Sequence, residues 1–145
     1  MHVVSTKIYD EMKNFSDLDT VVRTVLRENS EMTRADVEYK LDALLQWFSV
    51  IPLAQRDGKS LQMLSNIDRV WHAFILNTRI YAQFCIKYLG RMVHHDETTA
   101  MDSSAPRREY ADYTLTILQK EFGSKLNPEL EMLQFDVKCC SHASD

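Results

Sequence analysis

Glycine and proline, the residues that form tight turns and interrupt regular structure, are scarce in this chain. Only 3 Gly and 3 Pro occur among its 145 residues. An all-β protein needs many tight turns between short strands, and those turns usually require Gly or Pro. The scarcity therefore argues against an all-β fold and favours helices joined by a small number of connections.

Two helices are predicted in the first part of the chain by apolar residues at spacings of three and four. The first begins in "SDLDTVVRTVLREN", where Ser16 is a good N-cap residue with acidic residues in the turn that follows. Thr33 opens the second as an acidic variant of a capping box, "TRAD". Because Pro52 lacks a backbone N–H, it should end or kink that second helix.

Two more helices are predicted in the second part. One runs from about Ile67 to Leu89 and stops at Gly90, a plausible C-cap. The other spans about 107–122. The polar stretch near 96–106 between them predicts a flexible loop, and the tail 137–145 lacks periodicity and is expected to be disordered.

These segments together predict an all-α fold, a compact bundle of four to five helices in a single domain over residues 1–145. A composition of 45% hydrophobic and 26% charged residues is that of an ordinary folded protein. The formal charge of -4 gives no general electrostatic reason to bind nucleic acid or an anionic membrane.

Location can also be predicted from the pattern of apolar residues. No run of about 18 apolar residues is present, so we expect no membrane span. The first residues, "MHVVSTKIYDEMKNF", lack the charged start and apolar block of a secretion signal. We therefore expect a cytoplasmic protein.

The helix predicted at 67–89 has two different faces when its residues are placed at about 100° per residue. A broad apolar face carries most of its aromatic residues, as expected of a helix packed against several neighbours. The opposite stripe holds polar and exposed positions. They are Asp68, His72, Leu76, Arg79 and Gln83.

Asp68 and His72 are four residues apart and can both reach one ion or one substrate group. Cys85 points roughly 140° away from His72 on a straight helix, so the two could not share a metal. A break at Asn77 or Thr78, either of which could cap a second helix, would relax that conclusion.

His94 and His95 lie just past Gly90, after three intervening residues. If the chain turns back there, one of them could approach His72 and complete a His/His/Asp set suited to zinc or another divalent ion. The alternative is structural: Asp68 orients His72 through a salt bridge, and the histidine pair lies at a helix C-terminus, where positive charge is favoured.

The tail contains a second group of metal-binding residue types, "CCSH", with Cys139, Cys140 and His142. Zinc knuckles usually space their cysteines by two or more residues, so two adjacent thiolates are poorly placed to bind one zinc ion. A disordered tail with free thiols is the simpler interpretation.

The stretch "DRVWHAFILNTRIYAQFCIKYLGRMVHH" resembles the signature of the glycine-rich domain-containing protein-like family. That signature has Asp-x-x-Trp-His, then Thr, Tyr, Phe-Cys, Gly and a histidine pair. The matching positions here are Asp68, Trp71, His72, Leu76, Thr78, Tyr81, Phe84, Cys85, Gly90, His94 and His95. "YTLTILQKEFG" at 113–123 resembles a later helix of that family, and its glycine-rich tail is missing here. The resemblance implies a compact helical domain without a settled activity.

Two functions are predicted from the sequence, and the binding of a small molecule between the helices also stays open. The first is a small soluble helical binding module that acts through a protein partner, with Arg79 and Gln83 as partner-binding residues. The alternative is a metal-dependent enzyme such as a hydrolase. In that enzyme Asp68, His72 and His94 or His95 would bind the ion, and a metal-bound water would be the nucleophile.

Overall fold

A computed structural model describes residues 4–95 and 104–135, and these residues form an all-α fold, as predicted. They contain seven α-helices, more than the four to five expected, and two short 3₁₀ turns. The helices are α1 (Val4–Met12), α2 (Leu18–Glu28), α3 (Arg34–Ser49), α4 (Ile51–Asp57), α5 (Ser65–Leu76), α6 (Thr78–Leu89) and α7 (Ser104–Phe122). The 3₁₀ turns are Gly123–Lys125 and Pro128–Met132. None of the described helices is long and apolar enough to cross a membrane.

Some of the additional helices arise because a segment that the apolar spacing predicts as one continuous helix is divided into two in the structure. Pro52 lies in the first turn of α4, where a missing N–H leaves no helical hydrogen bond unmade, so α3 stops at Ser49 and α4 starts at once. The single helix predicted at 67–89 is wrong, because it is divided at Asn77 into α5 and α6. That break is the alternative that the residues "NT" left open.

Helix boundaries test the predicted caps. Thr33 is confirmed as an N-cap, since its hydroxyl accepts a hydrogen bond from the backbone N–H of Asp36 at 3.1 Å. Ser16 is not a cap: α2 begins at Leu18, and Asp17 occupies the capping position without a side-chain hydrogen bond. The missing bond means that packing of its apolar face, rather than a capping side chain, determines where α2 begins.

The predicted loop near 96–106 is too long at its C-terminal end, because α7 already begins at Ser104. Residues 96–103 and the predicted disordered tail 137–145 lie outside the described residues. The "CCSH" group in that tail lies outside them as well.

Helix α3 is the centre of the fold, and it packs against α1, α2, α4, α5 and the second 3₁₀ turn. All of its residues from Ala43 to Ser49 are buried, so this stretch faces neighbours on every side. The ring of Phe48 lies within 6.5 Å of a group of aromatic rings on α5 and α6. They are Trp71, Phe74, Tyr81 and Phe84. Helices α5 and α6 are therefore held to the centre by the aromatic face that the sequence predicted.

A buried amide joins this central helix to the chain after α7. Gln46 is only 1% exposed. Its Nε2 donates to the carbonyl of Lys125 at 3.0 Å, and its Oε1 accepts from the backbone N–H of Asn127 at 2.8 Å. One side chain thus satisfies the buried backbone N–H of Asn127 and the partly buried carbonyl of Lys125.

Replacing this amide by an apolar side chain of similar volume should destabilise the protein. We expect Gln46→Met to lower the free energy of unfolding by about 1–3 kcal/mol, because the buried N–H of Asn127 and the partly buried carbonyl of Lys125 lose their partner. Gln119→Met, at an exposed glutamine on α7, is the matched control and should change stability by less than about 0.5 kcal/mol. Urea denaturation measures both; equal losses in the two variants would contradict this role of Gln46.

Candidate metal centre

The first turn of α5 carries an acidic residue, and the next turn carries a histidine. Asp68 lies in the first turn, where the helix dipole favours a carboxylate. His72 follows one turn later on the same face, and its Nε2 lies 3.3 Å from Asp68 Oδ2. The i, i+4 pair predicted from the sequence is therefore formed.

The ends of helices α5 and α6 determine which residues lie near Asp68 and His72. Asn77 ends α5, and its side-chain amide donates to the hydroxyl of the buried Thr24 at 2.9 Å, which fixes the corner against α2. Gly90 ends α6 in the left-handed conformation, with φ of 77°, which a residue without a Cβ adopts readily. After Gly90 the chain returns toward α5.

A buried tyrosine hydroxyl holds the returning segment. Trp71 donates its indole N–H to the hydroxyl of Tyr81 at 2.9 Å, and that hydroxyl donates to the carbonyl of Val93 at 2.5 Å. Burial raises the pKa of Tyr81 well above its usual value, so the hydroxyl keeps the proton that it donates. Val93 is only two residues before His95, so this bond limits where His95 can lie.

The returning segment brings His95 to Asp68. His95 Nε2 lies 2.5 Å from Asp68 Oδ1, so each oxygen of the carboxylate contacts a different imidazole. The rings of His72 and His95 have centroids 4.5 Å apart and are nearly perpendicular. One possible ligand atom from each of the three residues lies within 4.8 Å of the others. We call these three residues the Asp–His–His cluster.

The Asp–His–His cluster fits the donor set and size of a site for a divalent ion. Two imidazoles and one carboxylate suit zinc and other borderline ions, which they bind at about 2.0–2.2 Å. Tetrahedral ligands at that radius lie about 3.3 Å apart, close to the present spacing of His72 and Asp68 and wider than that of His95 and Asp68. Binding of an ion would require the carboxylate and the His95 imidazole to move apart.

The cluster separates two unlike surfaces. On the His95 side, a cavity of about 310 Å³ is lined mainly by apolar and aromatic residues, including Trp47, Trp71 and Met63. On the His72 side lies a polar cleft whose lining includes Glu28 and Arg69. The side chain of His72 is 49% exposed and that of His95 only 11%, because the His95 ring packs against Trp71 at a centroid distance of 4.4 Å. An ion could therefore enter from the cleft and face the cavity.

The other predicted site residues lie elsewhere. His94 is exposed and lines the cavity, and the structure does not bring it into the cluster with Asp68, His72 and His95. Arg79 and Gln83 are exposed on α6. Because α5 and α6 are separate helices, the stripe that placed those two beside His72 does not exist.

Cys85 is not a ligand of the cluster either, in spite of the helix break. It is fully buried, and burial raises the pKa of its thiol above the usual value near 9. A buried, protonated thiol behaves as a small apolar side chain. The sequence reasoning placed it in the core, and the structure agrees.

The sequence reasoning missed the hydroxyl of Tyr81 and the cavity. It assigned Tyr81 to the core as an aromatic side chain, and the ring is indeed buried. The only signal for its second role is the choice of Tyr at a fully buried position, since a buried hydroxyl needs partners. The cavity has no local signal, because residues from α3, α4, α5 and α7 line it.

Comparison with known proteins adds a family. The chain matches the UCP032817-like family over residues 9–121, which include every helix that forms the cluster and the cavity. The chain belongs to the UCP032817-like family. No curated protein and no solved structure matches it.

Membership of the UCP032817-like family corrects the resemblance stated above. The glycine-rich domain-containing protein-like family is a different one, and the assignment to it is wrong. The motif behind it consists largely of aromatic residues and a cysteine at helical spacing, and Trp71, Tyr81, Phe84 and Cys85 are all buried here. Such a pattern is produced by core packing, which unrelated helical proteins share.

Removing the Tyr81 hydroxyl should loosen the segment that carries His95. We expect Tyr81→Phe to lower the free energy of unfolding by about 1–3 kcal/mol, because the Trp71 N–H and the Val93 carbonyl lose their partner. Amide hydrogen exchange at residues 91–95 should also become faster. Tyr39→Phe, on an exposed ring, is the control for the loss of a hydroxyl. Unchanged exchange at 91–95 would show that the hydroxyl does not hold the segment.

Proposed function

We propose that this protein is a helical domain that binds one divalent transition-metal ion, zinc or an ion of similar preference, through Asp68, His72 and His95. The observation that carries the proposal is the two-sided contact of Asp68, whose carboxylate oxygens each meet one imidazole Nε2. Chain segments 27 residues apart converge to make it. A cytoplasmic location stays a prediction of the sequence.

Three protein ligands leave at least one coordination position open, as catalytic rather than structural zinc sites do. A metal-dependent enzyme is therefore the activity that this site would support, with a metal-bound water as the nucleophile. The residues hold the ion and shield one side of it: His95 and Trp71 form a wall toward the core, and the half-exposed His72 leaves access from the cleft.

Metal binding can be tested by titration calorimetry with Zn²⁺ on the full chain. Cys139→Ser and Cys140→Ser should be introduced first, so that the tail thiols do not bind zinc and raise the measured stoichiometry. In this background we expect one ion per chain, and a free energy of unfolding raised by about 2.7 kcal/mol when free zinc is 100 times its dissociation constant.

Single substitutions locate the ion. His95→Ala, His72→Ala and Asp68→Asn should each weaken binding more than roughly 100-fold, because even residues that only support a ligand are worth 10–100-fold. His94→Ala is the matched control, an adjacent and exposed histidine, and should bind zinc like the parent. Zinc bound equally well by the parent and by His95→Ala would refute the proposed site.

A protein partner is the second candidate function, and one observation favours it. Arg79, Gln83 and Ile86 are spaced to share a face of α6, and all three are exposed, with Ile86 at 57%. Leu76, 62% exposed, lies at the end of α5 just before that helix. Large apolar side chains beside an arginine are typical of residues that bind proteins.

Comparative capture from lysate of the source cells tests this candidate. The parent chain and a variant with Arg79→Ala, Gln83→Ala and Ile86→Ser are used as baits, and these exposed changes should leave the fold intact. A partner should be recovered with the parent and lost with the variant. Recovery of the same proteins with both baits would contradict a role for this face.

A further inference from the structure

We infer that the cavity beside the Asp–His–His cluster binds a small, mainly apolar molecule that carries one anionic oxygen-donor group, such as a monocarboxylate, and that this group ligates the bound ion. The inference rests on the proposed metal site and names the class of ligand that the site would take. It is carried by the juxtaposition of a largely apolar cavity and a metal-binding cluster that share two residues, Asp68 and His95.

The size of the cavity limits the ligand. A volume of about 310 Å³ is at the lower end of the range for small-molecule sites. It corresponds to about ten water molecules, so the ligand has a body of roughly ten non-hydrogen atoms.

The inner wall of the cavity favours a ligand with an apolar body, because its buried N–H groups already have partners and the polar side chains Gln55, Lys59 and Ser60 lie at the exposed part of the lining. The indole N–H of Trp47 donates to the carbonyl of Gln62 at 2.9 Å, and that of Trp71 donates to Tyr81. The backbone N–H of Gln62 is bonded to the Thr114 hydroxyl. What this part of the wall offers to a ligand is apolar surface, from the edges of two largely buried indole rings and from side chains such as Met63.

The charge of the ion-loaded Asp–His–His cluster favours a ligand with an anionic headgroup. A divalent ion held by a single carboxylate and two neutral imidazoles keeps a net positive charge, and an anionic oxygen donor neutralises it. Beside an apolar cavity the local dielectric constant is low, which strengthens this attraction. A cationic ligand would be repelled once the ion is bound.

The two tryptophans of the chain, Trp47 and Trp71, both line the cavity, so intrinsic fluorescence reports its occupancy directly. The probes are cyclohexanecarboxylate, cyclohexylmethanol and cyclohexylmethylamine, which share a body of suitable size and differ in headgroup. Each is titrated into the full chain with the two tail cysteines replaced by serine, with Zn²⁺ and without it. We expect saturable binding of the carboxylate to the zinc-loaded protein, and binding at least roughly tenfold weaker without zinc or with the other two headgroups.

Two substitutions separate the cavity from the metal. Ala54→Phe fills the cavity from α4 and should abolish carboxylate binding while zinc binding, measured by calorimetry, is retained. Lys59→Gln removes an exposed cation of the lining and should leave the zinc-dependent affinity within about twofold, because the headgroup is on the ion and an exposed charge pair contributes little.

The outcomes distinguish this inference from the proposed function. Zinc binding without binding of any probe at millimolar concentration would overturn the inference and leave the metal site standing. Carboxylate affinity that depends on Lys59 and not on zinc would place the headgroup elsewhere and overturn it too. Failure to bind zinc, with the amine as the preferred probe, would refute both, because the amine would then pair with a bare Asp68.

Discussion

One buried oxygen atom, the hydroxyl of Tyr81, connects the core of this protein to its candidate site. Tyr81 belongs to α6. Its hydroxyl accepts a hydrogen bond from the indole N–H of Trp71 on α5 and donates one to the carbonyl of Val93, in the segment after α6. Because it is only 1% exposed, water cannot replace these bonds at little cost. The position of His95 beside Asp68 therefore depends on a side chain that never contacts either residue's functional group.

The break at Asn77 makes this arrangement possible. On a straight helix, Trp71 and Tyr81 would be ten residues apart and about three turns distant along the axis. Dividing the segment into α5 and α6 lets their side chains meet, and both helices then present aromatic rings to Phe48 of α3. The corner itself is fixed by the bond from Asn77 to Thr24, so α2 also contributes to the geometry.

Two features encoded within one turn of helix were predicted correctly from the sequence, whereas the Ser16 cap was not, and the approach of distant segments could be stated only as a possibility. The capping by Thr33 and the contact of Asp68 with His72 follow from spacings of three and four, and both are present. Which of His94 and His95 reaches Asp68 depends on the hydrogen bond from Tyr81 to Val93, and the local sequence pattern does not predict that bond. The same limit explains the wrong family assignment, since a motif of buried aromatic residues describes packing and not descent.

The two contacts of Asp68 differ in a way that bears on metal binding. His95 Nε2 lies 2.5 Å from Asp68 Oδ1, closer than two ligands of one ion, whereas His72 Nε2 lies 3.3 Å from the other oxygen, Oδ2, which is the spacing of two such ligands. Ion binding would therefore replace the hydrogen bond between Asp68 and His95 and move the His95 imidazole away from the carboxylate. That movement is opposed by the packing of His95 on Trp71 and by the bond that holds Val93. The affinity of the site is thus coupled to the same buried hydroxyl that orders the core.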